Sequence, residues 1–591
     1  MQRVFNQHPE ITEGSHELHT YNPLLTRLLV NRGITTQESA DKFLKPNYDT
    51  DMNDPYLMHD MERAVVRIFE AIEAKQKIVV YADYDCDGIP GAVIMNDFFK
   101  KIGYENFYIY IPDRHDEGYG LNKEAIQKFI DEGVELLFTI DLGTTDHEDI
   151  AQAQANGIDV IVSDHHLPHE TLPKAFAIVN PKIVGRVSMD GTRHDSAESY
   201  PDPMLCGSGV VFKLVQAFIQ KYGEVFKINT GWEKWLLDMA GLATLSDMVP
   251  LVGENRLIAR FGLQVFRKSP RPGITQLLRL LKIDQSTLVE DDLTFMVTPR
   301  LNAASRMDSP MRAFELLAER DSVKASAVAL HLTTINDERK RIVAQIMKEV
   351  KHALSEREIG EIIVIGNPKW RIGVLGLVAG KICDEYDRPT FVWGREGGAV
   401  SRDVDVASET APLKGSCRSN GRVNVVRLME SAKESFIDFG GHELAGGFSV
   451  SNEHVHFLEQ KLCANFETVK QDGVIAGAMI DCALSLADIN EKTVSMIESL
   501  APFGLGNPKP LFLFKNLTIT ATKQFGKEKN HLEITVIDDK KKLCTAMSFF
   551  ADENTFSKKA SVGEKIDLIA TIEKSYFAGR ITLRLRIIDI Q

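Results

Sequence analysis

Three stretches of this 591-residue chain end in carboxylates and imidazoles placed where chemistry could be done. Asp83-Tyr84-Asp85-Cys86-Asp87-Gly88 follows the apolar run KIVVY, Asp141 closes FTID, and Asp164, His165 and His166 close VIVSDHH. A lone Asp after an apolar run is ordinarily a turn former or a helix cap. Three such clusters in one crevice are another matter, because so many carboxylates would repel one another. A divalent cation, and more readily two, would offset that repulsion. Oxygen donors joined by imidazole nitrogens, with no thiolate, suit Mn²⁺ or Mg²⁺ better than structural zinc. DYDCDG lacks the later Glu of an EF-hand loop and follows a strand rather than a helix. A period of two places Asp83, Asp85 and Asp87 on one face if the strand runs that far. Gly88 is then expected to serve a tight turn into the next helix. Cys86, surrounded by carboxylates, would keep its proton, so water is a better nucleophile than its thiol.

These clusters need a scaffold that brings them together. From residue 62 helical and apolar stretches alternate: ERAVVRIFEAIEAKQ, KIVVYADYD, GAVIMNDFFKKIG, NFYIYIP, NKEAIQKFIDEG, VELLFTID, HEDIAQAQANG and GIDVIVSDHH. Apolar runs of this kind, separated by helices, predict a doubly wound parallel sheet, with ligands bound beyond the carboxyl ends of its strands. Residues 1–55 are expected as a helical segment and 56–320 as the catalytic domain. An uninterrupted helix is expected over 321–358, a second α/β domain over 359–470, and a β-barrel of OB type over 471–591. The helix, about 50 Å long at 1.5 Å per residue, could join two lobes. Residues 183–204 are polar and aperiodic and are expected as a surface loop.

Composition narrows the classes further. Apolar residues make up 44% and charged residues 26%, as in an ordinary globular protein. No run is long enough to span a membrane. The N-terminus lacks the plan of a secretory signal. The seven cysteines form no CxxC, so a reducing cytoplasm is expected. The net charge of −14 alone disfavours a polyanionic partner. Its distribution is uneven, because residues 511–591 hold 14 Lys and Arg against 10 Asp and Glu. Lys523, Lys527, Lys529 and Lys540 to Lys542 lie near Phe525, Phe549 and Phe550. That mixture suits a groove where bases stack and phosphates pair, and equally an apolar core with a solvated basic face.

DYDCDG, the Asp of TIDLG, SDHH and the later LATLSDMVPL resemble the four motifs of the DHH phosphoesterase superfamily, and GGHELAGGF resembles the glycine-rich motif of its DHHA1 domain. LLVNRGI, FLKP, IPDRHDEGYGLN, PRLNAASRM, LKGSCRS and APFGLGNPKPLF resemble, in order, segments of the RecJ-type exonucleases of that superfamily. The resemblance implies a single-strand-specific 5′-to-3′ exodeoxyribonuclease of DNA recombination and repair. It would use two Mn²⁺ or Mg²⁺ ions and in-line attack by water to release mononucleotides. Carried over, the metal ligands are Asp83, Asp85, Asp87, Asp141, His165 and Asp247. Two of the three acids in the first motif would bind directly. Asp164 is either a ligand or the group that orients a histidine. His166 is a candidate for polarising the phosphate or protonating the leaving group, and equally for a plain ligand.

The strand and its terminal 5′-phosphate would be held by Arg114, Arg300, Arg306, Ser416 and Arg418. The loop of Gly440, Gly441, Gly446 and Gly447 around His442 is expected to offer backbone N–H groups to phosphate. Two features depart from the pattern: the long loop 183–204, before Gly207-Ser208-Gly209-Val210, and Ser305 where the family typically has glycine. Single-stranded DNA is the expected partner, with a single-strand-binding protein or helicase as protein partners, no membrane, and a monomeric state. The expected place is a bacterial cytoplasm, or the host's if the gene is a phage's. The alternatives are a DHH-type oligoribonuclease or nucleotide phosphatase, and a non-catalytic replication scaffold of the same fold. Both are opposed here, the first by the extra N- and C-terminal parts and the second by an intact ligand set.

Overall fold

The computed structural model describes residues 5–11, 17–187, 193–194, 199–395, 411–470, 477–526, 529–552, 555–577 and 580–591. The chain begins with two short helices, α1 (Pro23–Val30) and α2 (Gln37–Leu44), capped by the side chains of Asn22 and Thr36. Their apolar faces do not pack on the lobe that follows them in sequence. Leu28, Leu29, Ala40 and Leu44 are buried instead with Leu486, Leu500, Phe512 and Leu585 of the C-terminal domain. Phe5–Gln7 also pairs in parallel with Ala478–Ile480. Tyr48, Met52 and Tyr56 turn back to the catalytic lobe.

That lobe is a five-stranded, all-parallel sheet. Its strands are β1 (Ile78–Ala82), β2 (Phe107–Tyr110), β3 (Leu136–Ile140), β4 (Asp159–Ser163) and β5 (Ala177–Val179), in the spatial order β2-β1-β3-β4-β5. The central strands are buried on both faces, as doubly wound sheets require. One face is covered by α3 (Gly88–Lys101) and α4 (Gly207–Tyr222), and α5 (Leu237–Ser246) packs on both. β5, only three residues long, was too short for the periodicity to reveal. Of the loop 183–204, residues 188–192 and 195–198 lie outside the described residues.

α6 (Thr298–Met307) follows a short π-helical turn, and α7 (Ser322–Ser355) is the expected uninterrupted helix, 34 residues long. Its buried side chains start with Ala325, Ala329 and Leu332 and end with Val350 and Leu354. They join the catalytic core to Val374, Val378 and Ile382 of the second lobe in one apolar cluster. The second lobe has a mixed sheet: β6 (Ile363–Gly366), β7 (Thr390–Gly394), β8 (Leu413–Arg418), β9 (Asp438–His442) and β10 (Ala445–Val450), in the order β9-β10-β8-β7-β6. Helix α8 (Leu375–Tyr386) packs on β7 and β8.

The last five strands close into a barrel: β11 (Phe512–Phe525), β12 (His531–Ile537), β13 (Leu543–Phe549), β14 (Lys565–Phe577) and β15 (Arg580–Ile590). Their cyclic order is β11-β12-β13-β15-β14, closed by β11–β14, with β13 and β15 parallel. This is the topology of the OB-fold the sequence predicts. Alternation sends Leu532, Ile534 and Val536 inward, and places His531, Phe549, Arg584 and Arg586 outside.

Candidate metal centre

The parallel register explains why the three clusters meet. Ala82, Ile140 and Ser163 stand side by side on β1, β3 and β4, so Asp83, Asp141 and Asp164 are the next residue of each strand. Their N–H groups carry the ladder one step further: Asp83 donates to the Ile140 carbonyl, Asp141 to Ser163 and Asp164 to Val179. Asp141 holds a left-handed φ of 64°, rare outside glycine and common where a site dictates the backbone.

The first motif differs from its expected geometry. β1 ends at Ala82, so Asp83, Asp85 and Asp87 are not placed by strand alternation; a turn wraps them around the crevice. The Asp85 carboxylate accepts from the N–H groups of Asp87 (2.7 Å) and Gly88 (3.3 Å). Asp87 is anchored from outside the motif, by the N–H groups of Gly207 (2.6 Å) and Ser208 (2.7 Å) at the start of α4, where the helix dipole favours a negative charge. Gly88 serves the expected tight turn into α3, since a Cβ there would lie 2.4 Å from the Asp83 carbonyl oxygen at the start of that turn. At Gly207 a Cβ would lie 2.8 Å from the Asp141 carboxylate.

Three groups of potential ligands result, each with its donor atoms within 4.8 Å of one another: Asp83, Asp85 and Asp141; Asp87, His165 and Asp247; and Asp141, His165 and His166. The shared residues make them one cluster. His165 Nε2 is 3.2 Å from Asp141, 3.7 Å from Asp87 and 3.9 Å from Asp247, which arrives from the C-terminal end of α5. Burial and the neighbouring Asp85 push the Asp83 carboxyl well above its usual range, and burial with Asp87 and Asp85 does the same to Asp141. Asp87 is pushed up to about 6 and Asp247 to about 9 by the same causes. Burial, with the charge of His166, lowers His165 to about 3, which keeps its imidazole neutral and ready to ligate. Asp83 Oδ1 and Asp141 Oδ1 are buried without a hydrogen-bond partner. Orphaned carboxylate oxygens among mutually repelling acids are what bound divalent cations would satisfy, so the residues present fit such ions.

Asp164 stands outside these groups. Its carboxylate accepts from the N–H groups of Thr144 (2.9 Å), His165 (2.7 Å) and His166 (3.1 Å) and bonds His166 Nδ1 at 2.8 Å. Burial opposes its ionisation, but the His166 contact outweighs burial and holds it well below the usual range. Of the two roles the sequence leaves open, these bonds match the orienting one. Three contributors were not singled out beforehand. The Tyr119 hydroxyl lies 3.1 Å from the Asp141 carbonyl and 3.2 Å from His166 Nδ1. Asn302 accepts from the Cys86 N–H at 2.9 Å, and Lys182 donates to the His165 carbonyl. Tyr119 and Asn302 lie inside segments that do carry the resemblance; Lys182 has no sequence signal.

Across the crevice, GGHELAGGF is more regular than the loop expected for it. It is a β-hairpin, with Gly441 opposite Gly446 and Gly440 opposite Gly447. The glycines flatten one face of the sheet. Ser416, Gly447 and Gly440 lie abreast on it, and Arg418, Ala445 and His442 form the next such row. A Cβ at Gly440 would meet nothing within 4 Å. The opposite face, with Cys417 and Phe448, is core. The His442 ring stacks on His166, with centroids 5.8 Å apart and planes 13° apart, so the flat face looks onto the metal cluster. Gly441 lies on the core side, its φ of 142° and the close Ala445 carbonyl demanding glycine.

Arg418 bonds Ser416 Oγ at 3.1 Å, and both sit against the start of α8, where a Cβ at Gly376 would fall 2.9 Å from the guanidinium. Burial, reinforced by Arg114, Arg339 and Arg418, pushes Arg306 down to about 9. Arg114 itself stacks over Tyr84 at 4.8 Å. Asp85 offsets only part of this crowding, so the gathered like charges favour an anion. Arg300 is not brought into it: buried, it donates to the Met296 carbonyl, and its charged neighbours are Arg339 and Asp337. Ser305 is accommodated by bonding the Asn302 carbonyl of its own helix at 3.4 Å. On the barrel, Phe550 is 81% exposed and Phe549 lies under Arg586 at 4.6 Å, so neither belongs to the core. The lysines at 523, 529 and 540 to 542 are exposed, and Lys527 lies outside the described residues.

Comparison with known proteins finds three family matches along the chain. Residues 77–244 match the DHH family N-terminal domain, 359–470 the DHHA1 domain and 480–589 the RecJ OB domain. The single-stranded-DNA-specific exonuclease RecJ of Haemophilus influenzae is 32% identical over 87% of this chain and 86% of its own length. That of Bacillus subtilis is 33% identical over 90% of this chain, which spans 63% of that relative. A crystal structure of RecJ from Thermus thermophilus in complex with Mn²⁺ superposes with a TM-score of 0.76 at 22% identity, covering 96% of this chain and 76% of that one, and so shares its fold.

Proposed function

Because the chain belongs to the RecJ family, we propose that it is a metal-dependent exonuclease that hydrolyses single-stranded DNA from the 5′ end to mononucleotides. The observation that carries this reading is the facing of two surfaces: a carboxylate–imidazole cluster at the strand tips, and an Arg–Ser pocket with a flat glycine face opposite. Asp83, Asp85, Asp87, Asp141, His165 and Asp247 would hold two divalent cations, Mn²⁺ or Mg²⁺. When bound, these supply an activated water and positive charge beside the scissile phosphate and the leaving 3′-oxygen.

The chain's own groups do the rest. The α4 amides and the strand register fix where Asp87 and Asp141 stand. Asp164 holds the His166 ring through Nδ1, leaving Nε2 to meet a phosphate oxygen or to protonate the leaving group. Gly440 and Gly447 let the sugar-phosphate backbone lie close to the sheet. Arg418, Ser416, Arg306 and Arg114 hold the terminal 5′-phosphate, which fixes the first linkage over the metals. Outside the cleft, His531, Phe549 and Phe550, with Arg584 and Arg586, offer stacking faces and cations to the incoming strand.

Single-stranded DNA is thus the substrate, in recombination or repair. A single-strand-binding protein or helicase would deliver it, to a monomer working in the cytoplasm. No helix among the described residues is long and apolar enough to cross a membrane. Digestion of a long single strand with Mn²⁺, and again with chelator, tests the reading. Metal-dependent release of mononucleotides supports it. Action on short oligomers alone would favour an oligoribonuclease-type enzyme, and inert binding a scaffold.

A further inference from the structure

Asp83, Asp141 and Asp164 each extend a strand of the parallel sheet by one residue, and the register has a fourth tip beside them. Ser163 of β4 stands next to Val179 of β5, so Asn180 follows on β5 beside Asp164. Asn180 is fully buried. Its amide nitrogen donates to the His166 carbonyl (2.9 Å) and to Thr144 Oγ1 (3.1 Å), and its oxygen accepts from the Lys182 N–H (2.9 Å). The Thr144 N–H in turn donates to the Asp164 carboxylate. Two residues on, the Lys182 ammonium donates to the His165 carbonyl. One short segment, Asn180-Pro181-Lys182, therefore holds two successive carbonyls of the turn that presents both histidines.

A neutral donor could hold the His165 carbonyl, so the charge of Lys182 calls for a second partner. An ammonium carries three N–H donors, and this carbonyl takes one. Among the described residues Lys182 makes no ion pair, although the carboxylates acting on it are those of Asp164, Asp247 and Asp141. Asp164 is taken by Thr144 and His166, and the other two belong to the ligand groups. The same ammonium acts on His442 of the second lobe. It is only partly buried, and it stands in the crevice between the metal cluster and the flat glycine face.

On the reading that this crevice hydrolyses a phosphodiester, we propose that Lys182 is a further catalytic residue. Its ammonium, anchored on the His165 carbonyl, donates a charge-assisted hydrogen bond to a non-bridging oxygen of the scissile phosphate. A diester carries one negative charge. It gains a second as the attacking water loses its proton and its oxygen joins phosphorus, before the bond to the 3′-oxygen breaks. A fixed cation thus binds the transition state more tightly than the ground state, and its effect falls on turnover rather than on strand binding.

The test uses the full-length protein, Mn²⁺ and a short 5′-phosphorylated single strand, with Mn²⁺ binding followed by electron paramagnetic resonance. Lys182→Gln keeps a donor for the His165 carbonyl and removes the charge, whereas Lys182→Arg keeps the charge. In Lys182→Gln, kcat should fall about 100-fold, with KM and Mn²⁺ affinity within about threefold of wild type. Lys182→Arg should recover about tenfold of the loss. Circular dichroism checks that both variants fold. Wild-type turnover in Lys182→Gln, a fall in Mn²⁺ affinity as large as the fall in rate, or Lys182→Arg no faster than Lys182→Gln would each overturn the proposal. A wild-type protein inert on the strand would overturn the nuclease reading as well, whereas an active one indifferent to Lys182 would overturn this inference alone.

Discussion

Individual residues carry the sharpest consequences. Asp141 and His165 take part in more than one ligand group, whereas the residues proposed to hold phosphate, Arg418 and Ser416 of the second lobe with Arg306 and Arg114, belong to none. Asp141→Ala or His165→Ala should therefore abolish mononucleotide release while leaving single-strand binding in place, as gel shift and product analysis would show. Release by either variant at saturating Mn²⁺ would count against the dinuclear assignment. The raised carboxyls make a second prediction, for the metal-free protein. A group whose folded value lies above its unfolded one stabilises the fold below the unfolded value, and that stability is lost as pH rises through the folded value. Asp87 and Asp247, at about 6 and about 9, place the loss between about pH 4 and pH 9. In chelator the melting temperature should fall across this window by at least a few °C, and Mn²⁺ should remove most of the fall. A flat profile in chelator would mean that the acids do not crowd one another. The meeting of Asp83, Asp141 and His165 was legible because residue type and strand-tip position coincide, whereas Asp247, at a helix end, was reached only through the resemblance. The face expected for Asp83, Asp85 and Asp87 was not legible, because β1 stops at Ala82 and the turn's own amides take over.

Elements decide how well the pocket is formed. Gly376 at the start of α8 leaves the space that Arg418 and Ser416 occupy. Gly376→Val should push the guanidinium aside without touching a metal ligand. It should reproduce the effect of Arg418→Ala: activity on 5′-phosphorylated strands falls about 5- to 150-fold, and falls less on 5′-hydroxyl strands. Arg418→Lys should restore only part of it, lacking the bidentate fork. Initial rates on the two kinds of end decide the matter, and equal losses would show that Arg418 holds the strand generally. The long helix was legible because nothing in it breaks a helix, and the barrel because its strands alternate. The glycine motif was misread as a loop because glycine signals turns. Here β9 and β10 use its missing side chains to make a flat face, which only the pairing with β8 reveals.

At the scale of the molecule the chain closes on itself, a feature no local pattern contains. α1 and α2 complete the core of the barrel, and Asn31 and Arg32 bind Asp481 and Asn507 beside it. Removing residues 1–46 should therefore destabilise the barrel and weaken binding to long strands. Cleavage of a short bound oligonucleotide should survive, since the metal cluster lies in another core. A barrel that melts unchanged in the truncated protein, followed by differential scanning calorimetry, would contradict this packing. The central claim joins the cluster, the arginine pocket and the direction of attack. It is tested most directly by incubating single strands labelled at either the 5′ or the 3′ end with the protein and Mn²⁺. The account predicts immediate release of the 5′ label as a mononucleotide, while the 3′ label stays on a shrinking strand. Early release of the 3′ label, or internal cuts that free neither end, would contradict it.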